Sequence, residues 1–516
     1  MKNIGIVLLS FIMLIGCVNS VTIDSEAIEV LPKLKENNRH YIEHDFQDIS
    51  HILYDYSNSK EEELSDEILQ SLRVSNGRPP SNTFTKEQMI EDVETFHITV
   101  KYMYPLFEYM GGDESFHKAK TDLIQHIRNL NDNTKLDQYQ FTALLRSHYD
   151  FIVDGHFTIN EAKMGDFHHA LYLTDQYSFY QNEEMEFILT SDESVSLVAI
   201  NDDQQLEKYL YPTLNDSGEI VFNPAIFSSP LSNAERDWKL NLIDNQGMKE
   251  VSVNLRQESK VLSHHLSGAR FALTEKEGVP WLQIRSMMVY ENDSYDYNDI
   301  IDTATKLKGK PYFVLDLRGN TGGSMYVMKY WMEDFFGKSI GIHAQHLHLF
   351  SKTSMIFLQD TLDKYKNSGV SHQLFEEDFS NIFRLQDIGE LSEPHWEIEE
   401  KVFGKIDDNH THIFILVDNN TASASEHLVA ALKQANNTTV IGMNTMGTMI
   451  SGDSLSWQLP NTKVEMLVPT FFNYSPDLIN KEGIGIQPDI WVRPDRAEQR
   501  IINFILKTLN SLDVEK

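Results

Sequence analysis

The run Thr421-Ala422-Ser423-Ala424-Ser425-Glu426 places a serine in a turn of small residues. An apolar stretch, Ile413 to Val417, precedes the turn, and a helical pattern from Ala424 to Gln434 follows it. A buried strand that ends this way exposes the serine hydroxyl. The helix behind it offers free N–H groups and a dipole favourable to a developing oxyanion. The same residues also suit a plain helix N-cap, and spacing alone does not separate the two roles. A second junction, Val314-Leu315-Asp316-Leu317-Arg318-Gly319-Asn320-Thr321-Gly322-Gly323, again ends an apolar stretch in a turn, here rich in glycine. Glycines there let backbone amides approach a ligand and adopt positive φ. No Gly-Lys-Ser/Thr follows, so a nucleotide-phosphate loop is unsupported. An oxyanion-hole loop and a tight turn both stay open.

In combination these segments resemble the C-terminal-processing, or tail-specific, serine peptidases, the family that includes the tricorn protease core. The resemblance rests on Asp316-Leu317-Arg318 with Asn320 and Gly322-Gly323, then Ala422-Ser423-Ala424-Ser425-Glu426, then Gly442 with Thr445 and Gly447. Glu482-Gly483 with Gly485 and Pro488-Asp489 complete it, and Tyr104-Pro105 and Asp154-Gly155-His156 resemble the front of such proteins. It covers roughly residues 85 to 495. It implies Ser423 as nucleophile and an oxyanion hole from the amide of Ala424 and the Gly322-Gly323 turn.

Many members carry a lysine base just after Gly-x-x-Thr-x-Gly, and Thr448 stands at that place here. A threonine hydroxyl is no base near neutral pH. The family's Ser-His-Glu branch takes its histidine from the turn after the helical unit and its glutamate from the late Glu-Gly motif. His156 and Glu482 occupy those places, so the resemblance implies His156 as base and Glu482 as the carboxylate that orients it. Lys463 and Lys481 are the alternative bases.

His343, His346 and His348 lie close together, but no carboxylate or cysteine in a recognised metal motif accompanies them. A solvated strand is the expectation, with no metal and no organic cofactor. His410 and His412 are read with the same caution.

The elements that position these residues fall into successive units. Lys2 and the short apolar run Ile4 to Ile15 end in Leu14-Ile15-Gly16-Cys17, which resembles a bacterial lipoprotein signal with Cys17 as the acylated residue. Cys17 is the only cysteine, so the mature fold holds no disulfide and no thiol nucleophile. Residues 18–84 read as a polar tether or loosely packed segment. Residues 85–165 read as a helical domain in which Thr85 and Gln88 form a capping box ahead of Met89, Val93, Phe96, Val100 and Met103 on one face. Residues 166–265 read as β-rich and PDZ-like.

From 266 to 516, strands alternate with helices, which implies an α/β core with much parallel sheet and an insertion at about 340–400. The resemblance implies a ClpP/crotonase-like peptidase core. A formal net charge of −33 argues against nucleic acid and anionic lipid partners. The sequence therefore points to a lipid-anchored serine endopeptidase of the cell envelope acting on protein or peptide substrates. A degenerate peptide-binding lipoprotein is the first rival. An acyl-CoA enzyme is the second, and a secretion signal disfavours it because coenzyme A chemistry belongs inside the cell.

Overall fold

Thr85 opens the first long helix, Lys86–Met103, with the reciprocal pair its sequence predicts. Its Oγ1 accepts the Gln88 N–H at 3.4 Å, and Gln88 Oε1 accepts the Thr85 N–H at 3.0 Å. Met89, Val93, Phe96, Val100 and Met103 are all buried along one face. A second helix, Gly112–Asn129, packs beside it, and a third, Gln138–His148, packs on the second. The computed structural model describes residues 48–510 except 75–82, 132–133, 231, 233, 259–267, 339, 375–392, 402–405 and 407–408. Cys17 and the expected signal segment before it lie outside the described residues.

The segment expected to be a tether packs firmly where it is described. Ile49, Ile52, Leu69 and Leu72 are buried in the large hydrophobic cluster, Leu72 C=O accepts the Gln458 N–H at 2.8 Å, and Arg73 pairs with Asp360. Its apolar residues are sparse in sequence, which made it read as polar, yet they fall on one side and find the core.

The helical unit ends in the strand Asp154–Ile159, whose residues Thr158 and Ile159 pair antiparallel with Leu467 and Met466 of the Glu465–Val468 strand. This pairing joins the His156 strand and its hairpin partner Ala162–Met164 to two strands from the C-terminal half, Glu465–Val468 and Leu455–Gln458. Next comes an antiparallel β unit. Its strand Leu210–Leu214 joins the core sheet through Thr213 beside Trp491.

The core sheet runs Ile490–Trp491, Thr438–Gly442, His412–Val417, Tyr312–Asp316, Val279–Ile284, all parallel, with Phe271–Lys276 antiparallel at the edge. Strands covered on both faces read as unbroken apolar runs. Along His412–Val417, Ile413, Ile415 and Val417 enter one buried cluster while Phe414 and Leu416 enter another. The two strand-to-turn junctions of the sequence therefore sit side by side at the C-terminal ends of neighbouring parallel strands. That is where open α/β sheets place their sites.

Residues 340–400 carry a strand, Ala344–Phe350, a helix, Lys352–Lys366, and a strand, His395–Lys401. The strand bearing His346 and His348 is not solvated as expected. It lies inside a four-stranded sheet between His395–Lys401 and Phe471–Tyr474, and all seven of its residues are buried. His346 packs on His348 and Phe471, with its Nδ1 2.5 Å from Asn473 Oδ1. His412 is likewise a core residue, its Nε2 2.9 Å from Thr439 Oγ1.

Candidate active site

Ser423 stands between the His412–Val417 strand and the Ala424–Leu432 helix with φ 54° and ψ −125°. A non-glycine residue rarely holds positive φ, and such strain persists only where its surroundings enforce it. Here they do. The Ser423 N–H points at Glu426 Oε2 and Thr448 Oγ1, both at 3.1 Å, and the Ala422 N–H donates to Asn320 C=O at 2.9 Å. Ser425 Oγ, in turn, donates to the carbonyls of Asn320 and Ala422, each at 2.7 Å. The turn is thus held from both sides, and the Ser423 side chain is left to face outward.

His156 Nε2 lies 3.1 Å from Ser423 Oγ, although 267 residues separate the two in sequence. The other ring nitrogen, Nδ1, lies 3.4 Å from Ser451 Oγ, and Ser451 Oγ donates to Asp154 Oδ1 at 2.6 Å. Asp154 also accepts the His156 N–H at 2.9 Å and the Tyr104 O–H at 2.9 Å. Asp154 thus accepts from the Ser451 hydroxyl, the His156 N–H and the Tyr104 hydroxyl. Ser451 therefore spends its hydrogen on Asp154 and accepts from Nδ1–H. That sets the tautomer: Nε2 is left with a lone pair for the Ser423 hydroxyl. Burial, followed by the charges of Lys163 and His427, pushes the pKa of His156 down to about 3. The imidazole is neutral at neutral pH.

Glu482 sits beside His156 without a hydrogen bond to its ring. Its Oε1 accepts the Gly155 N–H at 2.8 Å, and its Oε2 accepts the N–H groups of Met449 and Ile450 at 2.9 and 3.2 Å. The expected direct orienting contact is thus replaced by three backbone bonds that fix the histidine strand and the loop before Ser451. Burial, then the nearby Asp154 charge, raises the Glu482 pKa well above the carboxylate range, against the pull of those three donors.

The Gly322-Gly323 turn lies against Ser423. A Cβ on Gly322 would come within 2.8 Å of Ser423 Cβ and 3.0 Å of Ala424 N, and its φ of 99° already excludes most side chains. The two amides differ. The Gly322 N–H donates to Asn320 Oδ1 at 2.9 Å, whereas those of Gly323 and Ala424 have no acceptor among the described residues. Behind the turn, buried Asp316 takes Arg285 at 2.8 Å and Arg318 at 2.7 Å. Arg318, followed by Arg285, holds its pKa far below the usual range despite complete burial.

Thr448, at the place where a lysine was looked for, accepts from Ser423 N–H and donates to Glu426 Oε2 at 3.1 Å. Glu426 further accepts from Thr445 Oγ1 at 2.5 Å and from the N–H groups of Gly447 and Thr448 at 2.7 and 2.8 Å. Neither alternative lysine hydrogen-bonds Ser423. Lys463 occupies a positive-φ position, and Lys481 Nζ donates to Asp477 C=O at 2.7 Å. Among the described residues, Glu61, His97 and His117 bring ligand atoms within 4.8 Å of one another. The ammonium groups of Lys120 and Lys101 already hold Glu61, at 2.6 and 3.3 Å, which suits an ion-pair cluster better than a metal.

Residues 279–492 match the family model described as peptidase family S41. The chain carries a family S41 peptidase domain. It is a serine-type peptidase, hence a hydrolase, and both strand-to-turn junctions fall inside the matched region, whereas His156 lies outside it. Solved structures similar to the chain include mature CPAF, at 12% identity and TM-score 0.41, covering 83% of this chain and 98% of that one. The photosystem II D1 C-terminal processing protease is similar at 12% identity and TM-score 0.32, covering 80% and 93%. The tricorn protease is similar at 10% identity and TM-score 0.33, covering 83% of this chain and 37% of that one. No curated protein sequence matches the chain.

Two contributors escaped the sequence reading. Ser451 is 295 residues from His156 and sits in no motif that marks it. Asp154 was visible two positions before His156, an alternation that puts both on one side of a strand, but nothing in sequence supplied the hydroxyl that links them.

Proposed function

We propose that the S41 domain hydrolyses peptide bonds of protein substrates with Ser423 as nucleophile and His156 as general base, then acid. Ser423 Oγ bonds to the carbonyl carbon while its proton passes to His156 Nε2. The N–H groups of Gly323 and Ala424 take the oxyanion, a contribution of about 3 kcal/mol per donor in comparable sites. Collapse of the tetrahedral species breaks the C–N bond, and Nε2–H protonates the leaving amine. Water, deprotonated by the same nitrogen, then releases the acyl group from Ser423.

Ser451 and Asp154 hold the ring and stabilise the imidazolium, while Glu482 acts one step removed by fixing the backbone at Gly155. The observation that carries this reading is the 3.1 Å approach of a neutral imidazole to the hydroxyl of a strained serine. The β unit at 166–265 is read as PDZ-like and as a holder of extended peptide. Cys17 is read as a lipid anchor that places the enzyme in the bacterial cell envelope.

Cleavage of an unfolded protein, such as casein, tests the mechanism. Ser423→Ala and His156→Ala should each lower kcat by at least about 10³-fold with the fold intact by circular dichroism. A Ser423→Ala protein that cleaves as fast as the parent overturns the assignment. Cys17→Ala should move the protein from the detergent phase to the aqueous phase in a phase-partition assay. Equal partition of the two proteins would remove the anchor.

A further inference from the structure

Lys163 lies on the short strand Ala162–Met164, opposite Thr158 of the strand that carries His156. Its ammonium touches Met446 Sδ and sits 5.4 Å from the centre of the Phe167 ring. Among the described residues it forms no ion pair with a carboxylate. That is unusual in a chain with 77 Asp and Glu against 44 Lys and Arg. Buried Lys101, by contrast, holds both Glu61 and Asp113. A thioether and a ring face offset only a small part of what desolvating a cation costs. Burial accordingly lowers the Lys163 pKa, and the distant carboxylates of Glu426, Glu482 and Asp154 only partly oppose that. All three already accept bonds from other donors.

The position relative to the nucleophile follows from packing. A Cβ on Gly155 would strike Thr448 Cγ2 at 2.2 Å and Phe167 Cε1 at 3.1 Å, so Phe167 and Thr448 flank the same backbone. Thr448 Oγ1 in turn accepts the Ser423 N–H. Lys163, Phe167, Met446, His156 and Ser423 all remain half-buried, and so form a patch that a bound peptide would cover.

Given the proposed peptidase mechanism, we propose that Lys163 is a specificity-determining residue that pairs with the carboxylate of a Glu or Asp side chain close to the scissile bond of the bound peptide. The substrate supplies the counter-charge that the fold withholds. Covering the patch with peptide excludes water and strengthens the pair.

The test uses the full-length protein carrying Ser423→Ala, which binds without turnover. N-acetylated, amidated octapeptides with one Glu walked through successive positions are compared with their Gln counterparts by fluorescence anisotropy. At one register, Glu should bind at least about 10-fold tighter than Gln, a preference that rising salt weakens. Adding Lys163→Met should reduce the ratio to within about 2-fold while Gln peptides bind as before, and Lys163→Arg should keep most of it. Lys163→Gln serves as a second neutral variant if the methionine disturbs folding. A Glu/Gln ratio near one at every position overturns the proposal, as does a preference that survives both neutral variants. Hydrolysis of a Gln peptide by the Ser423 enzyme reports separately on the mechanism. A hydrolytic enzyme without the acidic preference therefore sinks this inference alone.

Discussion

Ser423 and His156 meet directly, whereas the third partner of the histidine is a hydroxyl backed by a carboxylate, Ser451 and Asp154. This arrangement separates two roles that one glutamate was expected to combine. Ser451→Ala removes the acceptor of Nδ1–H and leaves the ring free to choose the other tautomer. We expect kcat to fall about 10- to 100-fold with KM and melting temperature nearly unchanged. Glu482→Gln acts differently. One carboxamide oxygen cannot replace two acceptors, and in either orientation the new NH₂ group faces at least one backbone donor, so melting temperature and kcat should fall together. Steady-state kinetics and thermal melts on the two variants decide between the roles. If Glu482→Gln melts like the parent but loses activity, the glutamate acts on His156 directly. At this scale the proposed nucleophile and base, Ser423 and His156, stood out in sequence because each lies in a short motif. The orienting pair was not, since it is assembled from the Asp154–Ile159 strand and a loop end nearly 300 residues later.

The two parallel strands Tyr312–Asp316 and His412–Val417 deliver their turns to the same edge in register, with Asp316 beside Leu416. The serine turn and the glycine turn are therefore locked together before any side chain reaches out. Asp316 secures this edge by accepting from Arg285 and Arg318 while fully buried. Asp316→Asn leaves two guanidinium groups with one neutral acceptor in a dry site. The cost should be about 3–5 kcal/mol, read from urea unfolding, with activity lost in proportion to the fraction unfolded. Asp316→Asn unfolding at the parental urea midpoint would show the pair to be peripheral.

Gly322→Ala should lower both stability and activity, because an alanine is strained at φ 99° and its methyl meets Ser423 and Ala424. Strands of this kind were readable in sequence as continuous apolar runs, and the helix after Ser423 as a small-residue start. The His346 strand was misread because its alternating histidines mimic a solvated face. Burial there depends on two neighbouring strands, which no local pattern announces.

Over the whole molecule, the helical unit and the α/β core share one hydrophobic cluster, so Phe96 and Met89 are continuous with Ile415 and Leu428. The site straddles that joint, since His156 arrives from one unit and Ser423 from the other. Its chemistry should therefore respond to anything that loosens the pair, and acid is one such agent. His427, one helical turn after Ser423, has its pKa pushed down to about 4 by burial and then by the Lys401 charge. An unfolded histidine titrates near 6.5. Above that value both states are neutral, and His427 costs nothing. As pH falls from about 6.5 toward 4, the unfolded chain gains a proton that the folded one refuses, so stability drops.

Buried carboxylates whose pKa is raised, such as Glu426, work in the opposite direction over their own range. The histidine contribution is therefore best isolated by difference. Between neutral pH and about pH 4.5, the parent should lose about 1–2 kcal/mol more unfolding free energy than His427→Leu, after allowance for partial solvent screening. Equal losses in urea titrations at the two pH values would show that His427 accepts its proton in the folded state. Acid would then leave the joint beneath Ser423 untouched.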